Sequence, residues 1–432
     1  MSNGLPIWIV EPDQTEKRED YAGRVSLKAH PSPDVSQTLT VEELKARIKK
    51  VRQDARDNIK PLVARLEATL RERYPNVKVT SALDYQQAVG YIGQNSGGRK
   101  VVSTNNSVSV QELKPALIEA GFSLINSYRH EFTVAEKKVD DYFDLPRLLD
   151  KGLKSTFDVV MRMDGLPNVE SKKYLALLGV NAVSADDGTV FFLEHFANIN
   201  KDLVKANRVF LVIGLDKIVG TRDEALLQTK CMGVFGMENI LLGIEPRQTK
   251  TPSIDELPLP PAGDPRELHV IILDNGRSNL LGGKFTDLFL CIGCRACNKH
   301  CPIRHHFVDP EGIWTPKVYL NQFLFGGSKS VDACLHCEAC HVECPVDIDI
   351  PYLMWQAKLD YVARHGTSLS HKVLGRPEWL AKLGTAAGPL SNWMMHQKVV
   401  RVPMEKTVGI DRRTTLPEFH FRTFRRRAKK NG

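Results

Sequence analysis

The sequence predicts an α/β domain with a largely parallel sheet, followed by a smaller, cysteine-rich helical domain. Two observations predict this order. From residue 76 to about residue 270, short segments with strand character alternate with helical segments. Eight of the nine cysteines then fall between Cys291 and Cys344. No stretch approaches the roughly 18 consecutive apolar residues of a membrane span, so we expect no transmembrane helix.

The chain begins with a polar segment and a long amphipathic region. Residues 1–40 are rich in Pro, Asp, Ser and Thr and predict an irregular arm without a secretion signal, which favours a cytoplasmic location. Thr40 and Glu43 then match a capping box. Apolar residues recur every three or four positions as far as Leu70, which predicts one helix, or two meeting near Pro61, with a solvated basic face.

The α/β pattern follows in short steps. We expect strands over 77–81, 100–103 and 122–125, and helices over 85–94 and 110–120. The turn Asp186-Asp187-Gly188 predicts a hairpin between 179–185 and 189–193. Residues 209–214 and 268–273 complete the predicted sheet, and the proline-rich segment 247–266 reads as a connector.

The cysteines form a doubled motif. The run Cys-x2-Cys-x2-Cys-x3-Cys-Pro starts at Cys291 and again at Cys334, and this spacing is typical of bacterial ferredoxins with two [4Fe–4S] clusters. Three thiolates of one run converge on one cluster, and the fourth serves the other cluster. We therefore predict crossed ligation. The expected ligands are Cys291, Cys294, Cys297 and Cys344 for cluster 1, and Cys334, Cys337, Cys340 and Cys301 for cluster 2.

Zinc is the competing interpretation, because paired Cys-x2-Cys units also form structural zinc sites. A third cysteine two residues further on, in both runs, favours iron–sulfur clusters. Five histidines lie in this region and either tune the clusters or are solvated loop residues. They are His300, His305, His306, His336 and His341.

Other signals exclude several function classes. The chain has neither a dinucleotide fingerprint nor a P-loop. Cys231 is expected to be a buried apolar residue. The formal charge is +8, but eight Lys/Arg against two acidic residues lie in 411–432, so the sequence does not predict a nucleic-acid-binding face.

Residues 267–278 (ELHVIILDNGRS), followed by the doubled motif, resemble the lactate-utilisation iron–sulfur family, in which a LUD domain precedes a two-cluster ferredoxin domain. Residues 178–190 and 214–219 are similar to that family's hairpin and following strand end. The resemblance implies a fold related to sugar-phosphate isomerases and CoA-transferases, and a cytoplasmic complex that oxidises L-lactate or a similar 2-hydroxy acid. Residues 103–108, 126–131 and 194–198 depart from the family pattern where a LUD pocket would be lined.

Residues 405–424 are similar to the segment that follows the ferredoxin domain in glycolate-oxidase iron–sulfur and heterodisulfide-reductase-like subunits. The expected organisation is an arm and helix (1–75), a LUD-like α/β domain (76–280), a two-cluster ferredoxin domain (281–360) and a helical, basic tail (361–432). The basic run Arg425–Lys430 is either a solubility tail or a docking segment for an acidic partner or the inner face of a membrane.

Three functions compete. The first is an electron-transfer subunit that links a flavoprotein dehydrogenase to a cysteine-rich redox subunit or a quinone-linked acceptor. The second is an isomerase or acyl/CoA-transferase with redox-sensing clusters, for which Glu131, Asp187 and Glu194 are candidates by position only. The third is a scaffold that docks partners.

Overall fold

The computed structural model describes most of the chain and divides it into two units, residues 1–356 and 357–432. The finer division into four segments stays a prediction. The residues described are 4–10, 25–26, 38–39, 41–126, 174–193, 199, 202–203, 206–236, 266–298, 300–303, 315–325, 332–367, 369–420 and 423–431.

The first unit is an α/β structure followed by short helices. Its strands are β1 (Ile7–Val10), β2 (Val25–Ser26), β3 (Thr38–Leu39), β4 (Val77–Ala82), β5 (Val101–Thr104), β6 (Ser123–Asn126), β7 (Tyr174–Gly179), β8 (Ala182–Ser184), β9 (Val190–Leu193), β10 (Arg208–Gly214), β11 (Ile218–Val219) and β12 (Glu267–Leu273). Its helices are α1 (Val41–Asp57), α2 (Ile59–Arg73), α3 (Tyr85–Asn95), α4 (Val108–Glu119), α5 (Arg222–Phe235), α6 (Pro316–Leu324) and α7 (Ala339–Val342). Helix α8 (Ile350–His365) runs across the boundary between the units.

The predicted α/β class is confirmed by a six-stranded sheet in the order β4-β12-β10-β7-β5-β6, in which every pair is parallel. The three central strands are almost entirely buried, as expected for a parallel sheet covered on both faces. Helices α3 and α4 pack on one face, where Ile92 and Leu113 meet Leu177 and Phe210 in a single apolar core. Parallel strands all end at one edge, which places the loops after β5, β7, β10 and β12 together.

A second sheet, in the order β1-β9-β8-β11, lies within the same unit. Strands β8 and β9 are antiparallel, so the hairpin predicted around Asp186-Asp187-Gly188 is confirmed. Its first arm is shorter than predicted, because Gly179 belongs to β7 of the large sheet. The prediction that residues 1–40 are irregular throughout is wrong at Ile7–Val10, which pairs in parallel with β9, and at β2 and β3, which pair with each other. The tetrapeptide Ile7–Val10 is apolar at all four positions, and its side chains alternate between buried and half-buried only because the folded chain supplies β9 as a partner.

The amphipathic region forms two helices, not one. Helix α1 ends at Asp57, Asn58 is non-helical with φ −113°, and α2 begins at Ile59. Pro61 lies in the first turn of α2, where a missing N–H costs nothing because that group has no partner within a helix. Thr40, the expected cap, lies outside the described residues, as do residues 247–265 of the predicted connector.

The second unit is helical. It continues α8 and adds α9 (Leu369–Leu374), α10 (Pro377–Ala386), α11 (Gly388–His396), α12 (Lys398–Val408) and α13 (Phe424–Asn431). In the described parts of the chain, no helix combines the length and the apolar character needed to cross a membrane.

A buried histidine links β12 to its neighbours and generates a first prediction. His269 is fully buried, stacks on Phe210 at 4.4 Å between ring centroids, and lies 3.0 Å from the Tyr91 hydroxyl and 3.3 Å from Glu267. Burial lowers the pKa of His269 to about 4, although its hydrogen bond to Glu267 acts in the opposite sense.

We expect the free energy of unfolding to fall as the pH drops from about 6.5, the value of an unfolded histidine, towards 4. In that window the unfolded chain binds a proton that the folded His269 does not, so acid favours unfolding. Urea denaturation at several pH values measures this. His269→Gln should flatten that part of the profile, whereas the exposed His396→Gln should not. An unchanged profile in His269→Gln would contradict the assignment.

Candidate metal centre

The cysteine motif forms two loops with the same backbone shape, the first cysteine run (residues 291–302) and the second cysteine run (residues 334–345). In the first, Gly293 and Arg295 have φ values of 85° and 63°. In the second, the equivalent His336 and Glu338 have φ values of 51° and 64°. Left-handed residues on both sides of the middle cysteine turn the chain around the thiols, so the sequence repeat is also a conformational repeat. His336 holds this shape despite the cost of about 1–2 kcal/mol for a side chain in this region.

The thiols of the first group lie close together. The pKa of Cys297 is well above its usual value, first because the thiol is buried and then because Cys291, Cys294, Cys344 and Cys340 would repel its thiolate. Burial, together with Cys291, raises the pKa of Cys344 to about 11, although the Ile348 amide, 3.3 Å from its sulfur, acts in the opposite sense. The thiol of Cys344, at the end of the second cysteine run, therefore lies near enough to Cys291 and Cys297 of the first run for their charges to interact.

The second group has the reciprocal arrangement. Burial raises the pKa of Cys340 to about 12, and Cys334, Cys301 and Cys337 act in the same sense. These four thiols line one cavity whose other walls are apolar. That lining consists of Pro302, Ile303, Pro316, Leu335, Pro351 and Met354. Since Cys340 also acts on Cys297, the two groups are neighbours.

This donor set fits a sulfur-ligated metal centre. Neighbouring thiolates repel one another unless a cation lies among them. The cavity lined by the second group of thiols offers sulfur and hydrocarbon but almost no oxygen ligands. Backbone amides point at two of the sulfurs, since the His336 amide lies 3.4 Å from the sulfur of Cys334 and the Ile348 amide contacts Cys344. Amide-to-sulfur contacts are a means by which proteins set cluster potentials.

The first cysteine run lies against the carboxyl edge of the parallel sheet. Lys217, which follows β10, donates to the carbonyl of Ile292 at 3.0 Å. Arg295 donates to the carbonyl of Asn106, which follows β5, at 2.6 Å. A side chain at residue 293 would come within 3.0 Å of the Lys217 nitrogen, and φ is positive there, so glycine suits this position on both grounds. This part of the edge is thus occupied by the first cysteine run.

A buried arginine supports the same run from the other side. Arg52 of α1 is fully buried and donates to the carbonyls of Phe289 at 3.0 Å and Leu290 at 3.4 Å, just before Cys291, and to Gln228 of α5. Burial lowers the pKa of Arg52, and the charges of Asp216 and Cys291 oppose that effect. The prediction of a solvated basic face on α1 is wrong at this position, because the helix period alone does not reveal which cation faces inward.

Lys217 belongs to a chain of buried ion pairs, the edge network, formed by Lys217, Asp216, Arg277 and Glu112. Asp216 lies 3.3 Å from Lys217 and 2.6 Å from Arg277, and Arg277 lies 2.9 Å from Glu112. Burial opposes ionisation of Asp216, but Lys217, Arg277 and Lys317 outweigh it and hold its pKa well below the usual range.

Together with Arg52 and Lys317, the edge network holds four cations against two carboxylates. This surplus of buried positive charge lies next to a run of thiolates. Sequence reasoning assigned no role to Arg52 or Lys217, since Arg52 lies in an ordinary helical repeat and Lys217 belongs to a segment, 214–219, that resembles the family only as a strand end.

Two of the positions that depart from the family pattern, Ser103 and Asn105, make structural contacts in the sheet, whereas residues 127–131 and 194–198 lie outside the described residues. Ser103 and Tyr174 both donate to the buried carboxylate of Asp202. Asn105 clips the ends of β5 and β7 together, with two hydrogen bonds of 2.9 Å to the backbone of Gly179. The polar side chains of Ser103, Asn105 and Asp202 therefore form hydrogen bonds within the domain.

Two of the three candidates for a catalytic carboxylate, Glu131 and Glu194, lie outside the described residues. The third, Asp187, accepts from the Thr189 amide at 3.0 Å within the hairpin turn, which is a turn-forming role. Cys231 is fully buried, and burial raises the pKa of its thiol far above the usual value, so the prediction of a buried apolar residue is confirmed.

Comparison with known proteins bears on the same region. A family described as 4Fe-4S dicluster domain matches residues 287–348, which include both cysteine runs. "Lactate utilization protein B" of Bacillus licheniformis is 25% identical over 297 residues, covering 61% of this chain and 59% of that protein. Proteins of the same name from Lysinibacillus sphaericus and a Geobacillus species are 25% and 26% identical with the same coverage.

The chain thus resembles the relatives named lactate utilization protein B. This confirms the resemblance seen in the sequence, and the family match confirms that the cysteine region is of the 4Fe-4S type. The chain spans about three fifths of the length of these relatives. No solved structure matches it.

The described histidines of the two cysteine runs lie at or near the surface. His300 is 68% exposed and lies 3.4 Å from Glu343, and His341 lies 3.0 Å from Asp347. His336 contacts the ring of Trp355 edge-on. His305 and His306 lie outside the described residues. Those that can be placed are paired with side chains rather than with thiols.

The surplus of positive charge beside the first cysteine run generates a prediction. Lys217→Met should lower the midpoint potential of one of the two cluster signals, because a nearby cation stabilises the reduced, more negative state. A tenfold change in the ratio of reduced to oxidised centre is about 59 mV for one electron, and we expect a shift of about this size. Redox titration followed by EPR measures it.

Lys217→Arg retains the charge and should leave both potentials nearly unchanged. The exposed Lys60→Met, in α2, is the matched control for loss of one lysine charge. Equal potentials in Lys217→Met and the parent protein would show that Lys217 only supports the loop.

Proposed function

We propose that this chain is the iron–sulfur electron-transfer subunit of a multi-subunit oxidoreductase. The observation that carries the proposal is the reciprocal grouping of the thiols. Cys344 of the second cysteine run acts on Cys297 of the first, and Cys301 of the first acts on Cys340 of the second. Two centres built from exchanged ligands must lie close together, as an electron relay requires.

The proposed ligands follow the crossed pattern. One [4Fe–4S] cluster is assigned to Cys291, Cys294, Cys297 and Cys344, and the other to Cys334, Cys337, Cys340 and Cys301. When bound, such clusters accept and release single electrons. The chain's own share of the chemistry is to hold the ligands, to shield seven of the eight cysteines at least partly from solvent and to set the surrounding charge.

The two groups of cysteines have different environments, which supports a preferred direction of electron transfer between them. The first group lies against the α/β domain, beside buried cations, and none of its four cysteines is exposed. The second group is nearer to solvent, and Cys337 is exposed. Different burial and different charge give two sites different potentials. An exposed ligand loop is also the natural point for exchange with a second protein.

We assign the α/β domain to the LUD type, with a supporting role. The carboxyl edge of a parallel sheet is where such domains commonly bind ligands. Here Lys217 and Arg295 use that edge to hold the first cysteine run. This favours electron transfer over the alternative of an isomerase or acyl-transferase pocket, and over a scaffold without redox function.

The names of the relatives suggest the substrate class. We propose that a flavoprotein partner oxidises L-lactate or a similar 2-hydroxy acid and passes electrons singly to this chain. A cysteine-rich subunit or a quinone-linked acceptor would then receive them. The basis is the relatives' printed name together with the doubled motif of this chain.

Single substitutions test the crossed ligation. Purified without oxygen, the parent protein should contain about eight iron and eight sulfide per chain, if both clusters are of the 4Fe type. Cys344→Ala should remove the same EPR signal as Cys294→Ala, and Cys301→Ala the same signal as Cys337→Ala. If each run bound its own cluster, Cys301→Ala would instead match Cys294→Ala. Stoichiometric zinc without sulfide would overturn the cluster assignment.

Cys231→Ala is the matched control, since this cysteine lies in the α/β domain and should affect neither signal. To test the donor, the complex is purified anaerobically with its natural partners and mixed with L-lactate. Reduction of both clusters that depends on a co-purified flavoprotein is the expected result. Reduction without any flavoprotein, or turnover retained in Cys294→Ala and Cys337→Ala, would contradict it.

A further inference from the structure

The second unit, residues 357–432, has almost no apolar core. Among its described residues, only Ala357, Gly384, Gly388 and Arg401 are buried. No large apolar side chain of these helices is fully covered, in contrast to the packed sheet of the first unit. A helical segment that buries so little apolar surface gains little stability from its own packing.

Polar contacts hold the unit in shape instead. The guanidinium of Arg401 donates to the carbonyls of Asp411 at 2.8 Å, Arg412 at 3.3 Å and Thr414 at 2.6 Å. The side chain of Asn392 exchanges two hydrogen bonds with the backbone of Phe419, at 3.0 and 2.8 Å. These clips fix the chain after α12 on the helices and leave the apolar side chains facing outward.

The outward apolar side chains lie in stripes. Trp379 and Leu383 of α10 are one helical turn apart and are 57% and 53% exposed. On α11, Leu390, Trp393 and Met394 have the same spacing, and they are 56%, 61% and 42% exposed. Large apolar groups in contiguous exposed stripes mark an interaction surface.

The unit also carries the basic charge of the protein. Residues 357–432 contain sixteen Lys/Arg and five Asp/Glu, a formal charge of +11, which leaves −3 for residues 1–356. Four exposed lysines have no ion pair within the described residues. One lies on α9, one on α10 and two on α12. They are Lys372, Lys382, Lys398 and Lys406.

We propose that the second unit docks on the surface of an anionic lipid membrane, with its tryptophans and leucines in the headgroup boundary and its lysines and arginines on the lipid phosphates. Helices that expose Trp and Leu and also carry exposed cations are typical of interfacial binding. Lipid recognition requires no fixed geometry of charges, which suits lysines spread over several helices. A basic field of this kind has little specificity for one acidic protein.

This surface is larger than the basic run Arg425–Lys430 that the sequence singled out. The run lies within α13, whose first residue, Phe424, is 84% exposed. The remaining helices supply the aromatic residues and most of the apolar contact. Docking would hold the protein beside a lipid-soluble electron acceptor, but the binding itself does not depend on the proposed function.

Vesicle co-sedimentation of the full, cluster-containing chain tests the proposal. We expect binding to phosphatidylcholine vesicles that contain phosphatidylglycerol, weak binding to pure phosphatidylcholine, and loss of binding at high salt. Tryptophan fluorescence should shift to shorter wavelength on binding. Substitution of the four lysines by glutamine should weaken binding by about a hundredfold to several hundredfold, since each basic residue near an anionic surface contributes about fivefold.

Trp379→Ala with Trp393→Ala should also abolish binding, and because both side chains are exposed, the unit should retain its helical circular dichroism. Two matched controls lie in the first unit. The exposed pair Leu83→Ala and Ile118→Ala removes apolar groups, and Arg47, Lys60, Arg71 and Arg73 changed to glutamine removes four cations. Both controls should bind vesicles as the parent protein does.

The proposal fails if the parent protein ignores anionic vesicles, or if the unit-two variants and the controls lose binding equally. Binding to soluble polyglutamate with none to vesicles would overturn it in favour of an acidic protein partner. Cluster content and EPR signals are measured on the same samples. Their loss would count against the electron-transfer function, whereas vesicle binding reports on the docking surface alone.

Discussion

The edge network is the interaction on which the rest of this structure depends. Lys217, Asp216 and Arg277 are buried charges, and burying an ion costs several kcal/mol unless it is paired and hydrogen-bonded. Each is paired here, and Gly214 leaves the room, since a Cβ at that position would lie 2.6 Å from Asp216 and 2.9 Å from Arg277. Through Lys217, the network ends on the carbonyl of Ile292 in the first cysteine run. The sheet and the metal centre therefore share one set of charges.

That sharing gives the α/β domain a physical task. Strands β10 and β12 are buried. Lys217, which follows β10, holds the first cysteine run through the carbonyl of Ile292, and Arg52 of α1 holds the residues just before it. A redox centre changes its charge by one unit without needing to move, so a rigid support with preset charges suits it. The polar residues Ser103, Asn105 and Asp202 tie the same edge together. The carboxyl edge of the sheet, where open α/β sheets commonly bind ligands, here supports the first cysteine run.

The second unit follows the opposite construction. Its shape is held by the Arg401 and Asn392 clips, its apolar residues face outward, and its charge is strongly positive. The first unit has a dense core and a slightly negative charge. The first unit is thus stabilised by apolar packing, whereas the second unit exposes apolar side chains to its surroundings.

The sequence by itself determined the local elements and the chemistry of the ligands. Strand and helix periods located β4, α3, β5, α4 and β6 to within two residues, because each depends on neighbours along the chain. Cysteine spacing indicated the metal centre for the same reason. Tertiary structure alone decided that Ile7–Val10 is a strand, that Arg52 points inward and that Lys217 reaches Ile292. Those contacts join residues more than 70 positions apart, and no short-range pattern records which distant group will neutralise a charge or complete a sheet.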